Sequence, residues 1–279
     1  MIKIGLLTAV SDRKGGFIDA VELTDLAADL RLDHVDYHMK KGMRSDDHQY
    51  IRELKYRAVE GGLAIGHLTT AGSLMGPPER VARLVAEAKR HVDTAALLGS
   101  PMLRIVAGPP PEGDPQPEQT WAMQARAFQD IADHAAQRAI MVGLCNHNYK
   151  SGRPRGEDIV RLCGEIERDN VSVIMDTGQW WPNFNTSSGT FKPNELAYGF
   201  MDEVLPHTAS VAAKIYNIEG GTEDWVDYER VFRMLEAVRF NGGVSIFYKN
   251  GQYTDIDYRE GIRASADYLR GFADKVGGV

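Results

Sequence analysis

The chain has 279 residues, 43% of them apolar and 25% charged, with a formal net charge of -7. It can bury one large core, and a single barrel of about 250 residues suits it better than two small domains. No apolar run approaches the ~18 to 20 residues of a membrane span, and no block of Lys and Arg offers a nucleic-acid surface, so the expected partner is a small molecule.

Met1 to Ala9 gives way to Ser11, Asp12, Arg13 and Lys14 too soon for a secretion signal. Cys145 and Cys163 stand alone, without the spacing of a zinc knot or a disulfide framework. Both features lead us to expect a soluble, cytoplasmic protein, with a homo-oligomer possible.

Short β-branched runs alternate along the chain with longer stretches of helical period. Strands are predicted at Ile2 to Leu7, His34 to His38, Ala64 to Leu68, Met102 to Val106, Met141 to Cys145, Val171 to Met175, Ser210 to Lys214 and Gly243 to Phe247. Between the third and fourth, Val81, Leu84, Val85, Ala88, Val92 and Ala95 recur at three- and four-residue steps over Glu79 to Leu98. Gly61-Gly62 and Gly99 follow helices, and Pro77-Pro78 introduces one. Eight repeats of this kind predict a (β/α)₈ TIM barrel forming one domain over residues 1–279. The stretches Gly108 to Glu118 and Trp180 to Lys192 read as long loops after strands, on the side where a barrel carries its active site.

The polar residues closing each strand should therefore meet at one mouth: His38, His67, Arg104, Cys145, Asn146, His147, Asp176, Gln179, Lys214, Tyr216, Tyr248 and Lys249. Crowding so many titratable groups is unfavourable unless they pair or bind something. Each also has a plainer reading. His38 and His67 are either catalytic or satisfied rim histidines. Arg104 either grips an anion or a carbonyl, or is tied to Asp176 or Asp36. Lys214 is either a proton carrier or imine-forming amine, or a lysine held by Asp176. Trp180 and Trp181 offer a platform for a sugar or aromatic ring, or cap the mouth. Cys145 is a nucleophile or a small buried apolar residue.

The order of these motifs resembles the xylose isomerase-like TIM barrels, the superfamily of sugar-phosphate isomerases and epimerases that also holds inosose dehydratases and AP endonuclease 2-like enzymes such as endonuclease IV. Val142-Gly-Leu-Cys-Asn-His147 is similar to a Leu-Glu-Asn-His pattern, with Cys145 where a metal-binding Glu would stand. Val173-Ile-Met-Asp-Thr-Gly-Gln179 resembles Asp-Thr-Gly-His, so Asp176 matches the metal-binding Asp and Gln179 replaces His. Val211-Ala-Ala-Lys214 is similar to a His-x-Lys-Asp region with alanine at the His position, and Val244-Ser-Ile-Phe-Tyr-Lys249 to Ser-Ile-Glu-Tyr-Glu with Phe247 at the metal-binding Glu. Of the four ligands that the resemblance implies, Asp176 alone remains.

One Asp beside Phe247 and Ala213 cannot hold a hard divalent ion. The expectation is thus an isomerase, epimerase or lyase that abstracts a proton next to a carbonyl of a keto-sugar- or polyol-like substrate, with no cofactor. In it His147 or His67 acts as base, Lys214 and Arg104 stabilise the oxyanion, and Asp176 orients the histidine or holds Lys214. His38, Trp180, Gln179, Tyr216, Tyr248 and Asn146 would bind substrate, with Tyr248 or Tyr216 as proton donors. Two alternatives stand beside it. One is a zinc, iron or manganese enzyme with ligands relocated to Asp176, His147 and Cys145 or to His38 and His67. The other is a non-catalytic ligand-binding or partner barrel.

Overall fold

The structure is a computed structural model and describes residues 1–12, 15–147, 152, 154–180, 195–249 and 255–276. Strand and helix alternate from end to end: β1 (Lys3–Leu7), α1 (Ala20–Asp29), β2 (His34–His38), α2 (His48–Glu60), β3 (Ala64–Ser73), α3 (Pro78–Leu98), β4 (Met102–Ala107), α4 (Pro117–Ala136), β5 (Met141–Asn146), α5 (Gly156–Ile166), β6 (Val171–Asp176), α6 (Glu195–Val204), β7 (Thr208–Ile215), α7 (Tyr228–Ala237), β8 (Gly243–Tyr248) and α8 (Tyr258–Val276). Each strand pairs in parallel with the next, and β1 pairs with β8 to close the barrel. The predicted (β/α)₈ architecture is therefore present. No helix of the described residues is long and apolar enough to cross a membrane.

Local chemistry sets the boundaries. Asp19, Asp47 and Asp227 accept the free backbone N–H groups of Val21, Tyr50 and Arg230 at the starts of α1, α2 and α7. Proline opens α3 and α4, and Gly99 ends α3 in the left-handed conformation that suits glycine. The main departure from the predicted elements is β3, which continues to Ser73 through a register shift after Thr69. Small polar residues there look like a loop in sequence, yet they still pair with β4.

Two cores follow from the two faces of the strands. A large cluster fills the space between strands and helices, and a small one of Leu7, Ala9, Ala212 and Phe247 lies inside the barrel. Neighbours in sequence divide between them: Leu6 outside and Leu7 inside, Ala213 outside and Ala212 inside, Tyr248 outside and Phe247 inside. This parity governs which strand-end side chains can reach the mouth.

The lower interior is polar and fitted around one histidine. His34 Nε2 lies 2.9 Å from Ser245 Oγ, which donates to Asp36 Oδ2. A Cβ at Gly5 would strike the His34 ring, and one at Gly243 would lie 2.8 Å from His34 Cε1. Overpacking of this kind typically costs 1–3 kcal/mol. Gly5→Ala should accordingly lower stability in denaturant by about 1–3 kcal/mol, and the loss should be non-additive with His34→Ala. An unchanged denaturation midpoint for Gly5→Ala would show that the slot is not a tight one.

Candidate active site

The Asp-Thr-Gly sequence after β6 organises the mouth. Asp176 Oδ2 accepts from Arg104 Nη2 of β4 at 3.2 Å, and Oδ1 lies 3.5 Å from Lys214 Nζ of β7. The Gly178 backbone N–H donates to the same Oδ1 at 3.0 Å. Thr177 Oγ1 accepts from the Lys214 backbone N–H, and Tyr228 Oη, 3.0 Å from that hydroxyl, donates to the Lys214 carbonyl. Gly178 must lack a side chain: a Cβ there would lie 2.6 Å from Lys214 Cδ and would strike the Tyr216 hydroxyl. Sequence and packing thus fix one carboxylate between two cations, all three nearly inaccessible to solvent.

Phe247 forms the apolar wall of this cluster. Lys249 Nζ, Lys214 Nζ and the Arg104 guanidinium stand 4.8, 5.1 and 5.9 Å from its ring centroid. Burial, then the nearby Lys214 and Lys41, push the Lys249 pKa down to about 7. Burial likewise lowers Lys214, partly opposed by Asp176. For Arg104, burial alone would weaken the charge, but the neighbouring Cys145 sulfur and Asp176 outweigh it and hold the pKa above its usual range.

His147, just past β5, has its pKa pushed down to about 2 by burial and then by Lys214, Arg104, Lys41 and Lys249. It is a neutral imidazole among cations. His38 is also held neutral, by burial and then Lys41 and Arg104. Its Nδ1 accepts the Lys40 backbone N–H, which leaves the proton on Nε2.

Several expected site residues take other roles. Tyr248 is not at the mouth: Phe247 points inward, so Tyr248 points outward, onto Gly261 of α8. Trp180 is wholly enclosed and packs against Phe200 of α6, 6.1 Å between rings, so it is no platform for a ligand; Trp181 lies outside the described residues. Asn146 spends its amide on the backbone of Asp176, donating to its carbonyl at 2.9 Å and accepting its N–H at 2.8 Å. Tyr216 Oη donates to the Gly178 carbonyl, and its ring stacks on Trp225 at 4.8 Å. Gln179 is half-buried, and its Oε1 has no hydrogen-bond partner among the described residues.

His67 is deeper than the sequence suggests. It is 2% exposed and pairs across the sheet with Met102, whereas Arg104 pairs with Thr69 further up. Its backbone N–H donates to Asp36 Oδ1 at 2.7 Å; its Nδ1 lies 3.3 Å from Asp36 Oδ2 without hydrogen-bond alignment. It supports the site from below and does not reach the mouth. Arg104 pairs with Asp176, not Asp36, which is taken up by Ser245 and His67.

The residues present do not fit a divalent ion at the position that the resemblance implies. Asp176 already faces Arg104 and Lys214, with Cys145 against Arg104 and Phe247 against both cations, while Ala213 points away from the site into the core under the helices. The relocated set is not assembled either. Cys145 Sγ lies 2.8 Å from Arg104 Nη2 and accepts its hydrogen bond, and burial pushes its thiol up to about 11. Among the described residues no three or more His, Cys, Asp or Glu side chains form a group that could hold a metal ion.

One cation escapes the sequence reading of the site, in which Lys249 stands among the strand-end residues as a possible partner of Arg104 for a phosphate. Lys41 comes from the β2–α2 loop, and no strand-end pattern could point to it.

The xylose isomerase-like TIM barrel family matches residues 19–272, and the chain belongs to that family. Solved structures with the same fold include 3-keto-D-glucoside 4-epimerase from E. coli, 16% identical over 97% of this chain and 100% of that one, with a TM-score of 0.73. D-psicose 3-epimerase from Clostridium cellulolyticum H10, solved with D-tagatose, is 14% identical over 97% and 99%, TM-score 0.75. A xylose isomerase-like TIM barrel protein from Mycobacterium smegmatis, in complex with magnesium, is 17% identical over 99% and 98%, TM-score 0.71. At these identities the likeness is one of fold. No curated protein sequence matches the chain.

Acid titration offers a check on the buried histidine. Burial, then Arg104 and His34, outweighs Asp36 and lowers the His67 pKa from 6.5 to about 4. The unfolded chain therefore takes up this proton first. Stability should be intact above pH 6.5 and should fall by about 3 kcal/mol on His67's account as pH drops toward 4. Denaturant unfolding of the parent and of His67→Gln across this window checks it: the variant should lose that part of the slope, and parallel curves would refute it.

Proposed function

We propose that the chain is a sugar epimerase or isomerase that moves a proton next to a carbonyl group, with Arg104 and Lys214 providing the positive charge that a divalent ion supplies in metal-dependent relatives. The observation that carries this reading is the buried Arg104–Asp176–Lys214 cluster at the barrel mouth, at distances of 3.2 and 3.5 Å. Epimerases of the same fold support the epimerase or isomerase part of it.

The chemistry runs as follows. A base takes the proton from the carbon beside the ketone. The electrons of that C–H bond form a C=C bond while the carbonyl oxygen becomes an oxyanion. Lys214 and Arg104 stabilise the oxyanion in a poorly solvated site, where such charges act most strongly. Return of a proton to the opposite face of the same carbon gives epimerisation, and return to the former carbonyl carbon gives isomerisation.

Inversion at carbon needs a proton carrier on each side. His147 follows β5 and Lys249 follows β8, three strands apart around the ring of eight. Arg104 on β4 and Lys214 on β7 bracket Asp176 in between. A lysine with a pKa of about 7 exchanges protons readily near neutral pH. Neutral His147 accepts one once a bound anion or oxyanion offsets the surrounding positive charge. Gln179, whose Oε1 has no hydrogen-bond partner among the described residues, and His38, through Nε2–H, would bind substrate hydroxyl and carbonyl groups.

The test is deuterium exchange at the α-carbon of keto-sugars by purified protein, with metal content measured and with chelator added. We expect exchange that survives chelation. Lys214→Ala and His147→Ala, checked for folding, should each lose about 100-fold or more. Full activity in both variants would defeat the mechanism, and activity that tracks about one equivalent of bound metal would defeat its metal-free form.

A further inference from the structure

The β7–α7 loop touches the site at both of its ends. Where the chain leaves β7, Tyr216 Oη donates to the Gly178 carbonyl at 3.1 Å. Where it enters α7, Tyr228 Oη donates to the Lys214 carbonyl at 2.6 Å and lies 3.0 Å from Thr177 Oγ1. Between these two hydroxyls the chain runs through exposed Glu219, Gly220, Gly221 and Thr222, and both glycines have positive φ. Such a stretch has little stiffness of its own, since glycine gives the backbone its widest freedom.

Glu223 supplies what the loop lacks. It is 5% exposed, although its neighbours Thr222 and Asp224 face solvent. Its Oε2 accepts the backbone N–H groups of Tyr216 and Asn217 at 2.7 and 2.9 Å, and its Oε1 accepts that of Trp225 at 2.8 Å. One carboxylate thereby ties the start of the loop to its end. Burial raises its pKa to about 7, opposed by the backbone N–H groups of Asn217, Trp225, Tyr216 and Val226. A carboxylate is withdrawn from water in this way only where charge-assisted hydrogen bonds replace the lost hydration.

The clamp reaches the mouth through Tyr216. The Tyr216 ring stacks on that of Trp225, with centroids 4.8 Å apart and planes at 20°, so Glu223 holds the backbone of both partners. The Tyr216 hydroxyl then fixes Gly178, whose N–H donates to Asp176 Oδ1 at 3.0 Å. That same oxygen faces Lys214 Nζ at 3.5 Å, the long end of hydrogen-bonding distance, so a small shift of Gly178 alters the pairing.

We propose that Glu223 is a positioning residue for the site: by closing the β7–α7 loop it holds Tyr216 on the Gly178 carbonyl and keeps Asp176 aligned between Lys214 and Arg104. It acts through Tyr216 and not by contact with substrate. Its effect on turnover rests on the epimerase or isomerase reading of the site, whereas its effect on residues 176–178 rests on the hydrogen bonds alone.

The experiment compares the parent with Glu223→Gln and Tyr216→Phe, each checked for folding by far-ultraviolet circular dichroism. Glutamine keeps the shape of the side chain and one accepting oxygen but turns an amide NH2 toward backbone donors. Amide hydrogen exchange of the full chain, read by mass spectrometry, comes first. The diagnostic segment is 176–179, whose backbone N–H groups bond to Asn146, Ala212 and Asp176 and not to Glu223. It should exchange about tenfold faster in both variants. Combining the two substitutions should add little, because both break the same chain of contacts. In the deuterium-exchange assay Glu223→Gln should lower kcat about tenfold while KM changes less than about twofold.

A parental exchange rate at 176–179 in Glu223→Gln would overturn the proposal, since the carboxylate would then staple only its own loop. A rise in KM larger than the loss of kcat would overturn it too, as the mark of a substrate-binding group. If Glu223→Gln does not fold, Tyr216→Phe, which removes one hydroxyl, carries the same test, and a parental rate at 176–179 in that variant has the same consequence. Failure of the epimerase reading looks different. The parent would then show no α-carbon exchange on any keto-sugar, while faster amide exchange at 176–179 would still mark Glu223 as the residue that positions Asp176.

Discussion

Everything at the mouth of this barrel is arranged around one buried carboxylate. Two cations share the charge of Asp176, and a backbone N–H and the amide of Asn146 fix its position. Without Asp176, Arg104 and Lys214 would face each other inside a low-dielectric barrel, and Lys214 would give up its proton or one of the two side chains would be expelled. Without the cations, Asp176 would be an isolated buried charge. The three stand or fall together, and so do the residues that hold them in register: Thr177 and Tyr228 on the β7 backbone, and Gly178 where a side chain would displace Lys214.

Phe247 explains why this arrangement stays positive. A carboxylate at that position would join Asp176 and either neutralise the lysines or, with further ligands, hold a cation. An aromatic ring does neither. Its face attracts Arg104, Lys214 and Lys249 through its quadrupole and excludes water from their flanks, so each charge acts over a longer range than in solvent. Burial, then the charges of Lys214 and Lys41, lower the Lys249 pKa to about 7.

The sequence disclosed the barrel because its signals are periodic: eight apolar runs, helices with capping aspartates and prolines, and glycine after α3. It also named Arg104, His147, Asp176 and Lys214 together; Asp176 and Lys214 lie at the ends of β6 and β7, His147 follows β5, and Arg104 lies within β4. It was less able to say which way a strand-end residue faces. Phe247 and Tyr248 differ by one position, and that decides whether a ring meets the cations or α8. Asn146 reads as a ligand-binding amide until the geometry shows both of its functional atoms on the Asp176 backbone. Trp180 looks like an exposed aromatic after a strand, yet it packs against Phe200. Such distinctions depend on register and tertiary contact, which residue type does not encode.

Lys41 shows the other limit. It belongs to no motif and follows β2 by three residues, in a loop that turns at Gly42, where φ is +88° and a Cβ would strike the Thr8 carbonyl. The close approach of that loop to β1 half-buries Lys41, and burial first and Arg104 second lower its pKa. A charge placed by a glycine turn on one side and a charge placed by a strand end on the other come together only when the barrel closes. Its excess positive charge is therefore a property of the assembled fold, built from residues that individually look like ordinary surface lysines.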